Sequence, residues 1–148
     1  MRVVLATDHA GYEYKEALKK HLLGQGYEVK DFGTNSGESC DYPDFIFPAA
    51  KAVAADPQGT RGIIFGGSGQ GEAMVANRVK GVRATVYYGS RPEIIQLSRE
   101  HNDANVLSIG ARFVSIDETM KVVDQWLELP FSGEERHVRR IKKIDLNG

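Results

Sequence analysis

Apolar residues follow two alternating rhythms along the chain. Short strand-like runs stand at Val3–Ala6, Tyr27–Phe32, Gly62–Phe65, Arg83–Tyr87 and Val106–Ile109. Between them, apolar residues recur at helical spacing: Tyr14, Leu18, Leu22 and Leu23, then Phe45, Ala49, Val53 and Ala54, then Met74, Val75 and Val79 up to Gly81. Two more helices are predicted from about Arg91 to Glu100 and over Asp117–Leu129. The punctuation agrees, because Gly24 and Gly26 close the first helix, Gly33–Asp41 is a polar loop and Pro43 suits a first helical turn. Strands alternating with helices imply right-handed crossovers and a mostly parallel sheet covered on both faces. The expected fold is therefore α/β, a Rossmann-like three-layer sandwich on a five-stranded parallel sheet. Residues 1–148 read as a single domain, and 133–146 form a basic helix beyond the α/β unit. In such sheets ligands collect where loops leave the carboxyl ends of the strands.

Composition narrows the function classes. A chain of 148 residues with 41% hydrophobic content can build one core without a disulfide or metal staple. The single cysteine, Cys40, excludes an internal disulfide framework and a Cys-based zinc cluster, and it fits a reducing compartment. A formal charge of -1, from 19 Lys+Arg against 20 Asp+Glu, argues against a general nucleic-acid binder. No apolar run approaches the roughly 20 residues that span a bilayer, and Met1 and Arg2 lead straight into a strand without a signal-peptide core. The expected location is the cytoplasm, with no membrane partner.

The strongest local signal is Gly66-Gly67-Ser68-Gly69-Gln70-Gly71-Glu72 directly after the third strand. Glycines there let backbone N–H groups converge on an anion at a helix start. No Lys-Ser/Thr follows them, and Glu72 stands where a dinucleotide fingerprint needs its last glycine, so neither nucleotide motif is met. Glu72 lies in the first helical turn, where the helix dipole favours its ionised form. It reads either as a base beside an anion hole or as an ordinary helix-start carboxylate. Asp8-His9 follows the first strand and His101-Asn102 precedes the last, and both pairs are expected to face one crevice. A histidine there can protonate a ring oxygen or hold a phosphate, and each alone can equally be a capping residue. Arg112 follows the fifth strand, and Arg136 and Arg140 share one face of the tail helix, where they can grip phosphate oxygens or simply be solvated. Tyr42 either bonds a ligand or staples its loop, and Cys40 beside it reads as incidental. No histidine spacing suits a metal.

Taken together, Asp8-His9-Ala10-Gly11, Asp41-Tyr42-Pro43, Gly66 to Glu72, Ala76-Asn77, Arg99 to Asn105, Gly110-Ala111-Arg112 and Arg136 to Arg140 resemble the type B ribose-5-phosphate isomerases and related sugar-phosphate isomerases. The resemblance covers nearly the whole chain. It implies an aldose–ketose isomerase of carbohydrate metabolism, in the pentose phosphate pathway, that interconverts D-ribose 5-phosphate and D-ribulose 5-phosphate through a cis-enediolate. It implies no metal and no cofactor, and a homodimer or a tetramer in which sites use residues of two chains, the tail helix packing on the partner. By position, His101 assisted by Asp8 would open the sugar ring. Gly67, Ser68, Gly69 and Gly71 would form the anion hole. His9, Arg112, Arg136 and Arg140 would hold the phosphate, and Tyr42 and Asn102 would contact hydroxyls. Many members carry a cysteine base where this chain has Gly66; another branch uses a glutamate at the position of Glu72, and this chain looks like that branch. A relative's preference for a four- or six-carbon aldose phosphate, or a phosphosugar-binding module without catalysis, are the alternatives.

Overall fold

In the computed structural model, which describes residues 1–148, five parallel strands run in the order β2-β1-β3-β5-β4. They are β1 (Arg2–Thr7), β2 (Glu28–Asp31), β3 (Thr60–Gly66), β4 (Ala84–Tyr87) and β5 (Val106–Gly110). Six helices connect and follow them: α1 (Tyr12–Gly24), α2 (Pro43–Ala55), α3 (Gln70–Ala76), α4 (Glu93–Glu100), α5 (Ile116–Glu128) and α6 (Glu135–Asn147). Side chains alternate between the sheet's faces, as the pleat requires. Val3, Leu5, Ile63, Phe65, Leu107 and Ile109 pack on Leu18 and Leu22 of α1, Ile95 of α4 and Val122, Val123 and Trp126 of α5. Val4, Ala6, Ile64 and Val106 pack on Ile46, Ala49, Ala50 and Val53 of α2 and Ala76 of α3. The α/β three-layer arrangement and five-stranded parallel sheet are those expected from the sequence. No helix is long and apolar enough to cross a membrane.

Two features position the site. The chain leaves β1 toward β2 and leaves β3 toward β5 and β4, so the crevice outside the carboxyl ends of β1 and β3 is the topological switch point. Separately, β3 and β5 run in parallel register from Gly62 opposite Val106 to Gly66 opposite Gly110. Whatever directly precedes Val106 therefore lies at the sheet's amino edge, and whatever follows Gly66 lies at its carboxyl edge.

Helix α3 is shorter than its apolar spacing predicts. It stops at Ala76 because the Asn77 amide turns to the start of β4, accepting from the Ala84 N–H at 2.7 Å and donating to the Ala84 carbonyl at 3.0 Å. Met74, expected on its buried face, is 67% exposed. On α1, Lys15 is fully buried, its ammonium 2.6 Å from Asp31 and 2.9 Å from Glu16, and Lys19 joins Asp31 at 2.9 Å. This ion cluster ties α1 to the edge strand β2.

Candidate active site

Backbone geometry turns the amides of the glycine loop toward the crevice. The Gly66 and Gly67 carbonyls accept from the Ala111 and Arg112 amides at 2.8 and 3.0 Å, so both point toward the turn after β5. In a planar trans peptide the next N–H points the opposite way, which turns the Gly67 and Ser68 amides toward the crevice on the β1 side. Gly69 takes a left-handed conformation (φ 80°) as the cap of α3, and its carbonyl accepts the Ser108 hydroxyl at 2.6 Å. A Cβ on Gly69 would come within 3.0 Å of the Ile109 backbone and 3.1 Å of Ser108 Oγ. The loop thus needs glycine at this point for both space and torsion. Ser68 Oγ accepts the Gln70 amide at 3.4 Å, leaving its own proton for a ligand. The Gly71 and Glu72 amides lie in the first turn of α3, where no carbonyl of the helix can reach them.

Glu72 is 4% exposed, and its carboxyl fills the space in which a side chain at residue 66 would begin. A Cβ on Gly66 would overlap all three carboxyl atoms of Glu72. Gly66 and Glu72 are thus one device: the missing side chain at the end of β3 makes room for the carboxyl that reaches back from α3. Loss of solvent pushes the Glu72 carboxyl above its usual range; its own backbone amide opposes this and the nearby Asp8 carboxylate adds to it. The helix start favours the ionised form through that amide, as expected, but in this buried position the net direction runs the other way. The outcome is a stronger base than a solvated glutamate.

Asp8 caps a single 3-10 turn at His9–Gly11 by accepting the Ala10 amide at 2.8 Å, which holds it beside Glu72. The Thr7 hydroxyl lies 2.9 Å from the Asp8 carbonyl and 3.2 Å from that of Phe65, bridging the ends of β1 and β3. Asp8 and His9, with residues 39–44, line a cleft of about 580 Å³. His9 Nδ1 accepts the Cys40 backbone amide at 3.3 Å, which leaves Nε2 to carry a proton toward a ligand. The Tyr42 ring lies against Gly71, its hydroxyl 2.8 Å from where a Cβ would stand, and so closes the loop of residues 33–42 over the glycine loop. Arg112 Nη1 lies over Gly67, 3.1 Å from the corresponding point. One chain therefore gathers Asp8, His9, Tyr42, Gly67, Ser68, Gly69, Gly71, Glu72 and Arg112 at one edge of the sheet.

His101, Asn102, Arg136 and Arg140 are elsewhere. Helix α4 runs back from the end of β4 and delivers His101, its C-cap, to the amino side, five residues before β5 begins. Asn102 faces Asn77, Val82, Arg83, Ala84, Thr85 and Ile144 around a cavity of about 340 Å³ at the start of β4. Strand length alone puts the two groups on the order of 13 Å apart. The expectation that both histidine pairs face one crevice thus fails within a single chain, because a helix following a parallel strand must end at the opposite edge. Helix α6 starts against His101, whose ring stacks on His137 at 4.3 Å between centroids and 19° between planes. Its far end brings Asp145 to 4.0 Å from Arg83. Arg136 is exposed, paired with Glu134 at 3.2 Å, and Arg140 is exposed one turn on.

Three groups with a place in this geometry are not among the site residues expected from the sequence. Ser108 secures the Gly69 carbonyl, the Cys40 amide orients His9, and His137 stacks on His101. Only His137 left a signal, as the middle of a basic run. Cys40, taken as incidental, lines the cleft, and its contribution is a backbone donor to which the thiol is irrelevant.

Comparison with known proteins places the chain in a family. The sequence profile of the family described as ribose/galactose isomerase matches residues 3–144. The ribose-5-phosphate isomerase B of Mycobacterium leprae is 42% identical over 142 residues, covering 95% of this chain and 86% of the relative. A solved ribose-5-phosphate isomerase B of Clostridium thermocellum superposes with a TM-score of 0.93 at 43% identity, covering 99% of this chain and 97% of the other. That of Mycoplasma genitalium, solved with ribulose 5-phosphate bound, superposes with a TM-score of 0.94 at 38% identity, covering 99% and 95%. With its glycine loop, its buried Glu72 carboxyl and its matched length, the chain belongs to the ribose/galactose isomerase family.

Proposed function

We propose that this protein interconverts D-ribose 5-phosphate and D-ribulose 5-phosphate in a site assembled from two copies of the chain. The observation that carries the reading is the Glu72 carboxyl lodged in the space opened by Gly66, beside amides turned to receive an oxyanion. With the aldose open, the Glu72 carboxylate takes the proton from C2; the bond electrons pass to the carbonyl oxygen, giving a cis-enediolate. The Gly67 and Ser68 amides, the first-turn amides of α3 and the Ser68 hydroxyl bear that charge. Return of the proton to C1, with transfer of the hydroxyl proton between the two oxygens, gives the ketose. His9 and Arg112 hold the phosphate from one side.

Ring opening needs an acid at the ring oxygen, and the first copy has no second histidine at this edge besides His9. His101 of the other copy supplies it, with Asp8 accepting the hydroxyl proton released at C1. Arg136 and Arg140 complete the phosphate grip, and Asn102 meets a hydroxyl across from Tyr42. This arrangement accounts for an exposed arginine pair on a helix beyond the sheet and for an exposed Met74 on α3. The dimer is the smallest assembly that completes a site, and the reaction is placed in the cytoplasm, where the lone cysteine stays reduced.

Mixing two inactive variants tests the sharing of sites. Glu72→Gln and His101→Ala each inactivate both sites of a homodimer, whereas a mixed dimer keeps one intact site. Random reassortment makes half the dimers mixed, so recovery of about a quarter of wild-type activity is expected. Absence of any recovery after verified subunit exchange contradicts the shared site.

A further inference from the structure

His137 has no part in the reaction as proposed, yet it is the best-buried side chain of α6. It is 5% exposed, whereas its neighbours Arg136, Arg139 and Arg140 are open to solvent. Its backbone amide bonds the Glu134 carbonyl at 3.0 Å, fixing it in the first turn of α6. Its Nε2 is shielded from solvent without a hydrogen bond, the Glu134 carboxylate standing 3.1 Å away but outside bonding geometry. A polar ring buried at such a cost is placed for its face, which lies nearly parallel on the His101 imidazole at 4.3 Å. His101, at the end of α4, is anchored only through its backbone amide to the Leu97 carbonyl at 3.0 Å, so the stack sets the plane of its ring.

We infer that His137 is a positioning residue for His101, clamping the imidazole in the plane from which it protonates the sugar's ring oxygen in the other copy. The inference rests on the proposed role of His101 and extends it to a residue that touches no substrate. Charges around the pair favour this division of labour. Loss of solvent, then His101, Arg136 and Arg140, hold the His137 imidazole below its ordinary range, with Glu134 opposing. The neutral form of the His137 ring is thereby favoured where its face packs on the His101 imidazole.

Ring opening and proton transfer can be read separately, because ribulose 5-phosphate, with its O5 esterified, has no furanose to open. Ribose 5-phosphate turnover requires His101; exchange of the C1 proton of ribulose 5-phosphate with deuterated water requires only Glu72 and the anion hole. For His137→Ala, kcat on ribose 5-phosphate should fall about tenfold or more, with KM and the ribulose exchange rate each within about threefold of wild type. His137→Phe, which refills the stack with a flat ring, should restore most of kcat. Unchanged ribose turnover in His137→Ala overturns the inference, as does a parallel fall of both reactions, which marks a general structural role. His101→Ala run alongside separates the two levels. Full ribose turnover in that variant removes the parent reading; its loss, beside a normal His137→Ala, removes only the inference.

Discussion

Adding one methyl group at Gly66 probes the site at its tightest point. In Gly66→Ala the backbone is undisturbed, since residue 66 closes β3 opposite Gly110 and has no left-handed torsion to defend. The new Cβ, however, falls on the Glu72 carboxyl, and Cβ contacts under 3.0 Å essentially never occur. The carboxyl must therefore retreat by about 1 Å or more, and a displacement of that size costs on the order of 10²-fold in a proton transfer that depends on alignment. That is about 2.7 kcal/mol of transition-state stabilisation. The loop amides and arginines proposed to grip the substrate are untouched, so the loss should appear in kcat while KM stays within about threefold. Steady-state assay of ketose formation from ribose 5-phosphate reads both constants, and a melting temperature within about 5 °C of wild type verifies the fold. A variant with kcat within about threefold of wild type would refute the reasoning, because the carboxyl would then be free to work from elsewhere.

Three other perturbations have signed outcomes. Glu72→Gln should abolish turnover while calorimetry still detects ribose 5-phosphate binding. Because the folded carboxyl titrates above its unfolded value, wild type gains relative stability at low pH and loses it as pH rises through the folded value. The variant should consequently melt higher than wild type at neutral pH, and that advantage should vanish below about pH 4. Arg136→Ala should raise KM for ribose 5-phosphate about 10- to 100-fold, the worth of one charge-assisted contact, with kcat changed far less in the same assay. Lys15→Ala should cost about 3 kcal/mol in urea unfolding, because it strips a fully buried partner from Asp31. Burial raises the Asp31 carboxyl, but hydrogen bonds from Lys15, Lys19 and the Gly33 amide outweigh it and hold it low. Its stabilisation is present above the unfolded carboxylate value and lost as pH falls through the folded one, so the gap between wild type and Lys15→Ala should close below about pH 4.

The strands were legible because buried parallel strands leave continuous apolar runs, and Val3–Ala6, Gly62–Phe65 and Val106–Ile109 lie inside the observed β1, β3 and β5. The edge strands were legible as elements but not in place: no local signal says that β5 inserts between β3 and β4, since that order follows from how helices cover the sheet. The same blindness misplaced His101. Its position in sequence, just ahead of a strand, looks like the neighbourhood of a site, and only the direction of α4 reveals that it sits at the other edge. Glu72 was legible as a candidate from its loop, yet its burial and raised proton affinity depend on the emptiness at Gly66, a property of two residues six apart that meet in space. Lys15 was invisible because a lysine on a helix is ordinarily solvated, and the partner that makes its burial tolerable, Asp31, comes from β2. Side chains at the Asp8–Glu72 edge were readable one by one, and His101 lies away from them within one chain.

The central claim is that Glu72 moves a proton between C1 and C2 of a pentose 5-phosphate. Its most direct test is proton NMR of ribose 5-phosphate in deuterated water with the purified protein and with Glu72→Gln. The account predicts ribulose 5-phosphate carrying deuterium at C1 and progressive loss of the C2 proton signal of the aldose with wild type, and neither with the variant. Equal exchange by Glu72→Gln, or ketose formed with neither exchange nor transfer of the C2 proton to C1, would contradict it.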